Sequence, residues 1–149
     1  MNFQVTAFNR TTLLYFLENL STEQLFTIPK GFKNNIIWNI AHILITEQML
    51  TYSLSGLDLP VDTKFVKLYG KGSIPTGEIS KEEVEEVKTQ LIPAVKQTKI
   101  DYEKGMFENF KEYPTSTGIT LKNIDDAIAF NAFHEGIHLG MILSIKKIV

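Results

Sequence analysis

The sequence of 149 residues contains no cysteine. This absence excludes disulfide bonds, thiolate metal sites and a cysteine nucleophile, so a transition metal would have to be bound by histidine and carboxylate side chains. An excess of charge is also missing: the net charge is −2, and the densest basic spot is Lys146–Lys147. Because a phosphate backbone is bound through a basic surface, nucleic acid is not expected as a partner.

Long hydrophobic runs are absent as well. No apolar run approaches the ~20 residues that span a bilayer, and Met1–Arg10 lacks the apolar segment of a secretory signal. We therefore expect a cytoplasmic protein that does not associate with membranes. Hydrophobic residues make up 44% of the chain, which is a globular composition. The length fits a single domain over residues 1–149.

Apolar residues recur at helical spacing in four segments, and no strand pattern is evident. The segments run from about Asn2 to Leu20, Asn35 to Ser55, Ser80 to Gly105, and Leu121 to the C-terminus. Ser21 with Gln24 and Ser80 with Glu83 match capping boxes, and Thr120 is a candidate cap for the last helix. The pattern predicts an all-α protein with the architecture of a four-helix bundle.

The connection between the second and third helices is unusually long. Residues 57–79 contain five glycine or proline residues and no clear periodicity. Antiparallel neighbours in a bundle need only about 2 to 8 connecting residues, whereas this segment can run the whole length of the bundle. Helices two and three are therefore predicted to be parallel and joined by a crossover.

The chain has only three histidines, and all three are predicted to face the bundle interior. His134 and His138 are four residues apart, which stacks them on one face of the last helix, in the middle of its apolar stripe. His42 lies on the inner face of the second helix. Each could be a core histidine satisfied by hydrogen bonds, but three buried imidazoles without partners would cost several kcal/mol. A shared divalent ion, such as zinc, nickel, iron or manganese, would supply those partners.

Other side chains fall on the histidine-facing sides of the same two helices. Trp38, Asn39 and Thr46 accompany His42, and Asn131 lies on the corresponding side of the last helix. We expect at least two of the three polar residues to lie near the metal, as supports of its ligands or as substrate contacts. The alternative is that they only bind backbone carbonyls or solvent.

Glu135 completes an H-E-x-x-H sequence, which is the signature of zinc metalloproteases. Those proteases need a third ligand, usually downstream, but Leu139–Val149 contains no His, Asp or Glu. The protease interpretation is therefore weak. Glu135 remains a candidate as a catalytic base or as a support of a metal ligand, and its alternative is a solvated surface carboxylate.

The sequence resembles the DinB/YfiT-like superfamily of metalloenzymes. The likeness rests on Trp38-x-x-x-His42, on Glu47 five residues later, and on His134-x-x-x-His138-x-Gly140. It implies a four-helix bundle of up-down-down-up topology, a divalent metal on the three histidines, and in many members a homodimer. Some relatives are S-transferases that use bacillithiol, mycothiol or glutathione. This chain departs from the family at Met141, where a glutamine is common, and the difference puts a shared reaction in doubt more than metal binding.

Two classes of function follow. The first is a metal-dependent enzyme that acts on a small molecule, either a transferase with a low-molecular-weight thiol as cosubstrate or a hydrolase. The second is a non-catalytic metal-binding or interaction bundle. Turnover with a panel of thiols and electrophiles would separate them.

The second helix also predicts a homodimer, because it is apolar on more than its core face. Ile36, Ile40 and Leu44 lie away from His42, where a surface helix should be charged. A two-fold partner would cover this patch, with these three residues near the centre of the interface. Alternatively, the long connection of the same chain covers it.

Overall fold

The computed structural model describes residues 3–75 and 80–149. Six α-helices lie in these ranges: α1 (Gln4–Asn19), α2 (Thr22–Phe26), α3 (Ile36–Thr51), α4 (Lys64–Tyr69), α5 (Lys81–Glu103) and α6 (Ile124–Ile145). A 3-10 turn, Ser53–Ser55, follows α3, and β1 (Tyr113–Pro114) pairs antiparallel with β2 (Thr120–Leu121). The protein is thus all-α, as predicted, apart from one hairpin whose strands are too short to show a periodic pattern.

Side-chain caps start the helices at the positions where polar residues precede apolar periodicity. Both predicted capping boxes are present, at the beginnings of α2 and α5. Asn35 caps α3 by accepting a hydrogen bond from the Trp38 amide. The last helix begins later than predicted, because Asn123 and not Thr120 accepts the bond from the Asp126 amide. Thr120 instead belongs to the hairpin.

Contacts at one end of the bundle define the directions of the four long helices. Phe3 at the start of α1 packs edge-to-face on Tyr102 near the end of α5, and it shares a cluster with Ile128 at the start of α6. Tyr52, directly after α3, donates a 2.6 Å hydrogen bond to Asp101 near the end of α5. Helices α1 and α6 therefore run one way and α3 and α5 the other, which is an up-down-down-up arrangement.

The long connection between α3 and α5 covers the outer face of α3. Ile36, Ile40 and Leu44 are completely buried within the monomer, in one core cluster with Val61 and Phe65 of this connection. The dimer interface predicted at these three residues is therefore wrong, and the alternative, coverage by the same chain, is correct. The sequence did not reveal α4, because six residues are too few to establish a helical period.

Helix α6 is the most apolar of the long helices at its surface. It is the one helix in the described ranges long and apolar enough by composition to span a membrane, and 28% of its 18-residue window is buried. Core helices of bundles also meet this criterion. The inner face of α6 buries Ile142, Ile145 and the carboxylate of Glu135, while Phe133 and Ile137 are about half exposed on the other side.

Candidate metal centre and pocket

The three histidines converge on one point between α3 and α6. One ring nitrogen each of His42, His134 and His138 lies within 4.8 Å of the others. His42 comes from α3, and one turn of the antiparallel helix α6 supplies the other two. Two nitrogens that each bind one zinc ion at about 2.0–2.1 Å are at most about 4.2 Å apart, so small side-chain rotations from this spacing would let the three nitrogens share one ion.

Hydrogen bonds determine which ring nitrogen of His42 and of His138 has a lone pair available to a ligand. Nδ1 of His42 lies 2.5 Å from the carbonyl oxygen of Tyr69, which can only accept, so this nitrogen carries the proton. Nδ1 of His138 lies 2.8 Å from Oδ1 of Asn39, whose amide group already donates to Asn34 and Asn35. Nε2 of His42 and Nε2 of His138 therefore keep their lone pairs for a ligand. Such outer hydrogen bonds usually accompany metal-binding histidines.

The third histidine has a buried nitrogen without a partner. Nδ1 of His134 makes no hydrogen bond within the described structure. Burial, followed by the neighbouring His138 and His42, lowers the pKa of His134 to about 3. Burial and His42 lower the pKa of His138 to about 4, and burial also lowers the pKa of His42. All three are thus neutral at pH 7, as metal ligands must be, and the donor set fits a divalent ion.

Trp38 and Thr46 support His42 from two sides. The indole of Trp38 stacks on the His42 ring at a centroid distance of 4.6 Å and an interplanar angle of 10°. Its Nε1 donates to Oγ of Ser73, which ties the connection after α4 to the site. The Thr46 hydroxyl lies 3.3 Å from Nε2 of His42 and faces the adjoining pocket.

A pocket of about 560 Å³ opens beside the histidines, and all three line it. Its apolar walls include Ile45, Met49, Leu50, Leu54 and Phe130. Polar residues come from two loops, Gly70–Lys71 after α4 and Thr115–Thr117 at the hairpin tip. This size and mixture of apolar walls with a few polar groups is typical of a small-molecule site.

A buried ionic cluster ties α1, α3 and α6 together next to the metal centre. Arg10, the only arginine of the chain, is completely buried, and its Nη2 lies 2.7 Å from both Glu47 and Glu135. Burial raises the pKa of Glu47, although the Arg10 charge opposes this effect. This cluster was not predicted from the sequence. The sequence feature that could have indicated the cluster is the position of Arg10 between Thr6 and Leu13, on the apolar face of the first helix.

Glu135 and Asn131 lie together in the buried cluster and not in the pocket. Oε1 of Glu135 accepts from Arg10 and from Nδ2 of Asn131, and Oε2 accepts from Asn9. Neither Glu135 nor Asn131 lines the pocket. Glu135 is completely buried, which contradicts the alternative of a solvated surface carboxylate, and its pairing with Arg10 does not favour the predicted role as a base. The helical-wheel position was right, but α1 covers this face, which the wheel cannot show.

Comparison with known families agrees with this geometry. The sequence matches the family model of the DinB superfamily over residues 6–142. No curated protein matches the sequence. The matched range includes all three histidines, the buried cluster and the four long helices except two residues of α1 and three of α6. The chain belongs to the DinB superfamily.

Proposed function

We propose that this protein is a divalent-metal-dependent enzyme that transfers a thiol to a small electrophile. The observation that carries the proposal is the opening of all three imidazoles into a pocket of about 560 Å³. A structural metal site is normally closed by four protein ligands, whereas a catalytic site keeps an open position. Three neutral ligands on the wall of a pocket match the catalytic type, and they count against the alternative of a non-catalytic metal-binding bundle.

A divalent ion held by His42, His134 and His138 would keep its full charge and would act as a Lewis acid that favours the deprotonated form of a bound thiol or water. The tautomers support this use. Tyr69 and Asn39 hold Nδ1 of His42 and Nδ1 of His138 in the protonated form, which leaves a lone pair on Nε2 of each ring. Trp38 stacked on His42 restricts rotation of that ring.

The described pocket lining offers no carboxylate base, which favours thiol transfer over hydrolysis. Among the described residues that line the pocket there is no carboxylate, and Glu135 is held by Arg10. A hydrolase gains from a positioned base that takes a proton from water. A thiol is much more acidic than water and needs no such base. Because the chain has no cysteine, the thiol must be a cosubstrate.

The apolar walls would hold the electrophile beside the histidines and exclude water from it. The thiolate sulfur then attacks the electrophilic carbon and forms a carbon–sulfur bond. The bond to the leaving group breaks, and the leaving group departs with the electron pair. The thiol proton is released to solvent.

The test is turnover by protein loaded separately with zinc, nickel, iron or manganese. Substrates are an epoxide, an alkyl halide and an ester, each with and without bacillithiol, mycothiol or glutathione. We expect thioether formation only with a thiol present, and loss of both metal and activity in His42→Ala. Thr89→Ala, an exposed polar position on α5, should retain both.

Two results would overturn the proposal in different ways. Ester hydrolysis without any thiol would identify a hydrolase. Tight metal binding by the wild-type protein, with no turnover of any combination of thiol and electrophile, would support the non-catalytic alternative.

A further inference from the structure

The described lining of the pocket carries a positive charge and no negative charge. Its polar lining consists of the three histidines, Thr46, Lys71 and groups of the hairpin tip, together with Tyr113. No Asp or Glu is among its described lining residues. The carboxylates of Glu47 and Glu135, on the two helices that supply the histidines, are both paired with Arg10. A bound divalent ion would make the pocket more positive still.

Lys71 is the one permanent charge on this wall within the described residues. It is exposed, it follows Gly70 at the end of α4, and it forms no ion pair with any described residue. Lys64 of α4 differs, because its Nζ lies 2.8 Å from Oε2 of Glu86. The ammonium group of Lys71 is thus available to a molecule in the pocket.

The hairpin tip adds a free hydroxyl to the same rim. Thr115 donates to the Ile119 carbonyl at 2.7 Å, so the 2.9 Å contact between the hydroxyls of Thr115 and Thr117 takes its proton from Thr117. Both threonine protons are therefore used. The hydroxyl of Ser116, between them, has no partner in the described structure and can donate to a ligand.

We propose that the pocket binds an organic anion with an apolar body, and that Lys71 recognises the anionic group with help from the Ser116 hydroxyl. This inference rests on the proposed function, since it names the class of substrate for the same pocket. The apolar body packs against the apolar side chains that line the pocket from α3 and the turn after it, which are Ile45, Met49, Leu50 and Leu54. A carboxylate near Lys71 pairs with the one unmatched charge among the described lining residues, which offer a cationic ligand no carboxylate.

The test is ligand binding to metal-free protein, so that a carboxylate has no metal to bind. Titrations followed by 1H–15N NMR compare 4-phenylbutyrate with its neutral analogue 4-phenylbutanamide. We expect the wild-type protein to bind the anion more tightly than the amide by about 1.5-fold to fivefold, the range of an exposed ion pair. Lys71→Met should abolish this preference, and Lys71→Glu should reverse it in favour of 4-phenylbutylamine.

Lys67→Met is the matched control, because Lys67 is an exposed lysine one turn earlier that does not line the pocket. It should retain the preference. Equal binding of anion and amide by the wild-type protein would overturn the proposal, as would an unchanged preference in Lys71→Met or no binding of either compound. Metal content and thiol transfer are measured separately, so this inference can fail while the proposed function stands.

Discussion

Asn39 on α3 and His138 on α6 are joined by a 2.8 Å hydrogen bond between Oδ1 and Nδ1. The bond crosses the interface between the two helices that supply all three imidazoles. It orients the His138 ring and fixes the tautomer that leaves Nε2 available. The metal centre is thus held by a residue that does not itself line the pocket.

Asn39→Ala should weaken metal binding while leaving the three histidines in place. Loss of an outer hydrogen bond to a metal-binding histidine usually costs about tenfold to 100-fold in affinity. Competition with a chromophoric chelator for zinc measures the change. Asn39→Asp keeps an oxygen acceptor for Nδ1 of His138 and should restore most of the affinity. Equal affinity in the wild-type and alanine proteins would show that the bond does not support the site.

The histidines could be predicted from sequence because their spacing and the apolar stripe depend only on helix geometry. The partners of these residues could not. The carbonyl of Tyr69 comes from a short helix in the long connection, and backbone carbonyls leave no sequence signal. Glu135 was placed on the correct face, but its partner Arg10 lies 125 residues away on α1. Such pairings depend on how helices pack, which a single helical wheel does not contain.

Arg10→Met should strongly destabilise the protein, because it leaves the carboxylates of Glu47 and Glu135 buried without their cation. Removal of one partner from a buried ionic cluster typically costs about 3–5 kcal/mol. Urea unfolding in the presence of a chelator measures the free energy of unfolding without a contribution from metal. Lys99→Met removes an exposed partner of Glu103 and should change this free energy by less than about 0.5 kcal/mol. A similar small change in Arg10→Met would contradict the role of the cluster.

The fold was predictable to the level of an all-α protein with four long helices. The prediction that failed concerned the residues that pack over the outer face of α3. Uncharged positions all around a helix show that both sides are buried, but they do not say whether the same chain or a second copy does so. Here residues of the same chain bury this face, and Val61 and Phe65 of the connection, which has little periodicity, are among the residues of that core cluster.

Acid should destabilise the metal-free protein through its histidines. Burial lowers the pKa of His134 to about 3 and that of His138 to about 4, whereas both are about 6.5 in an unfolded chain. Between these values the unfolded state binds more protons, so the free energy of unfolding falls as the pH decreases below about 6.5. We expect a loss on the order of 1 kcal/mol per histidine between about pH 7 and pH 5.

The control for this pH dependence is His134→Gln combined with His138→Gln. The raised pKa of Glu47 acts in the opposite direction, since protonation there favours the folded state as the pH falls. It does so in both proteins, so the difference between their urea-unfolding profiles isolates the histidines. The double variant should have a flatter profile than the wild-type protein. Parallel profiles would mean that the two rings titrate normally in the folded state.

Thr46→Val should change metal binding and turnover in opposite directions. The Thr46 hydroxyl lies 3.3 Å from Nε2 of His42, which has its lone pair there, so the hydroxyl donates to the atom that a metal would use. Metal binding must break this bond, which is worth about 0.5–1 kcal/mol, so the valine variant should bind zinc about twofold to fivefold more tightly. Once released, the hydroxyl faces the pocket and can donate to substrate. We therefore expect slower turnover in the variant despite its full metal content.

Thr51→Val on the same helix is the control. It removes a hydroxyl bonded to the Glu47 carbonyl, and it should leave zinc affinity unchanged. Weaker zinc binding in Thr46→Val would show that the hydroxyl helps to hold the metal, contrary to this account.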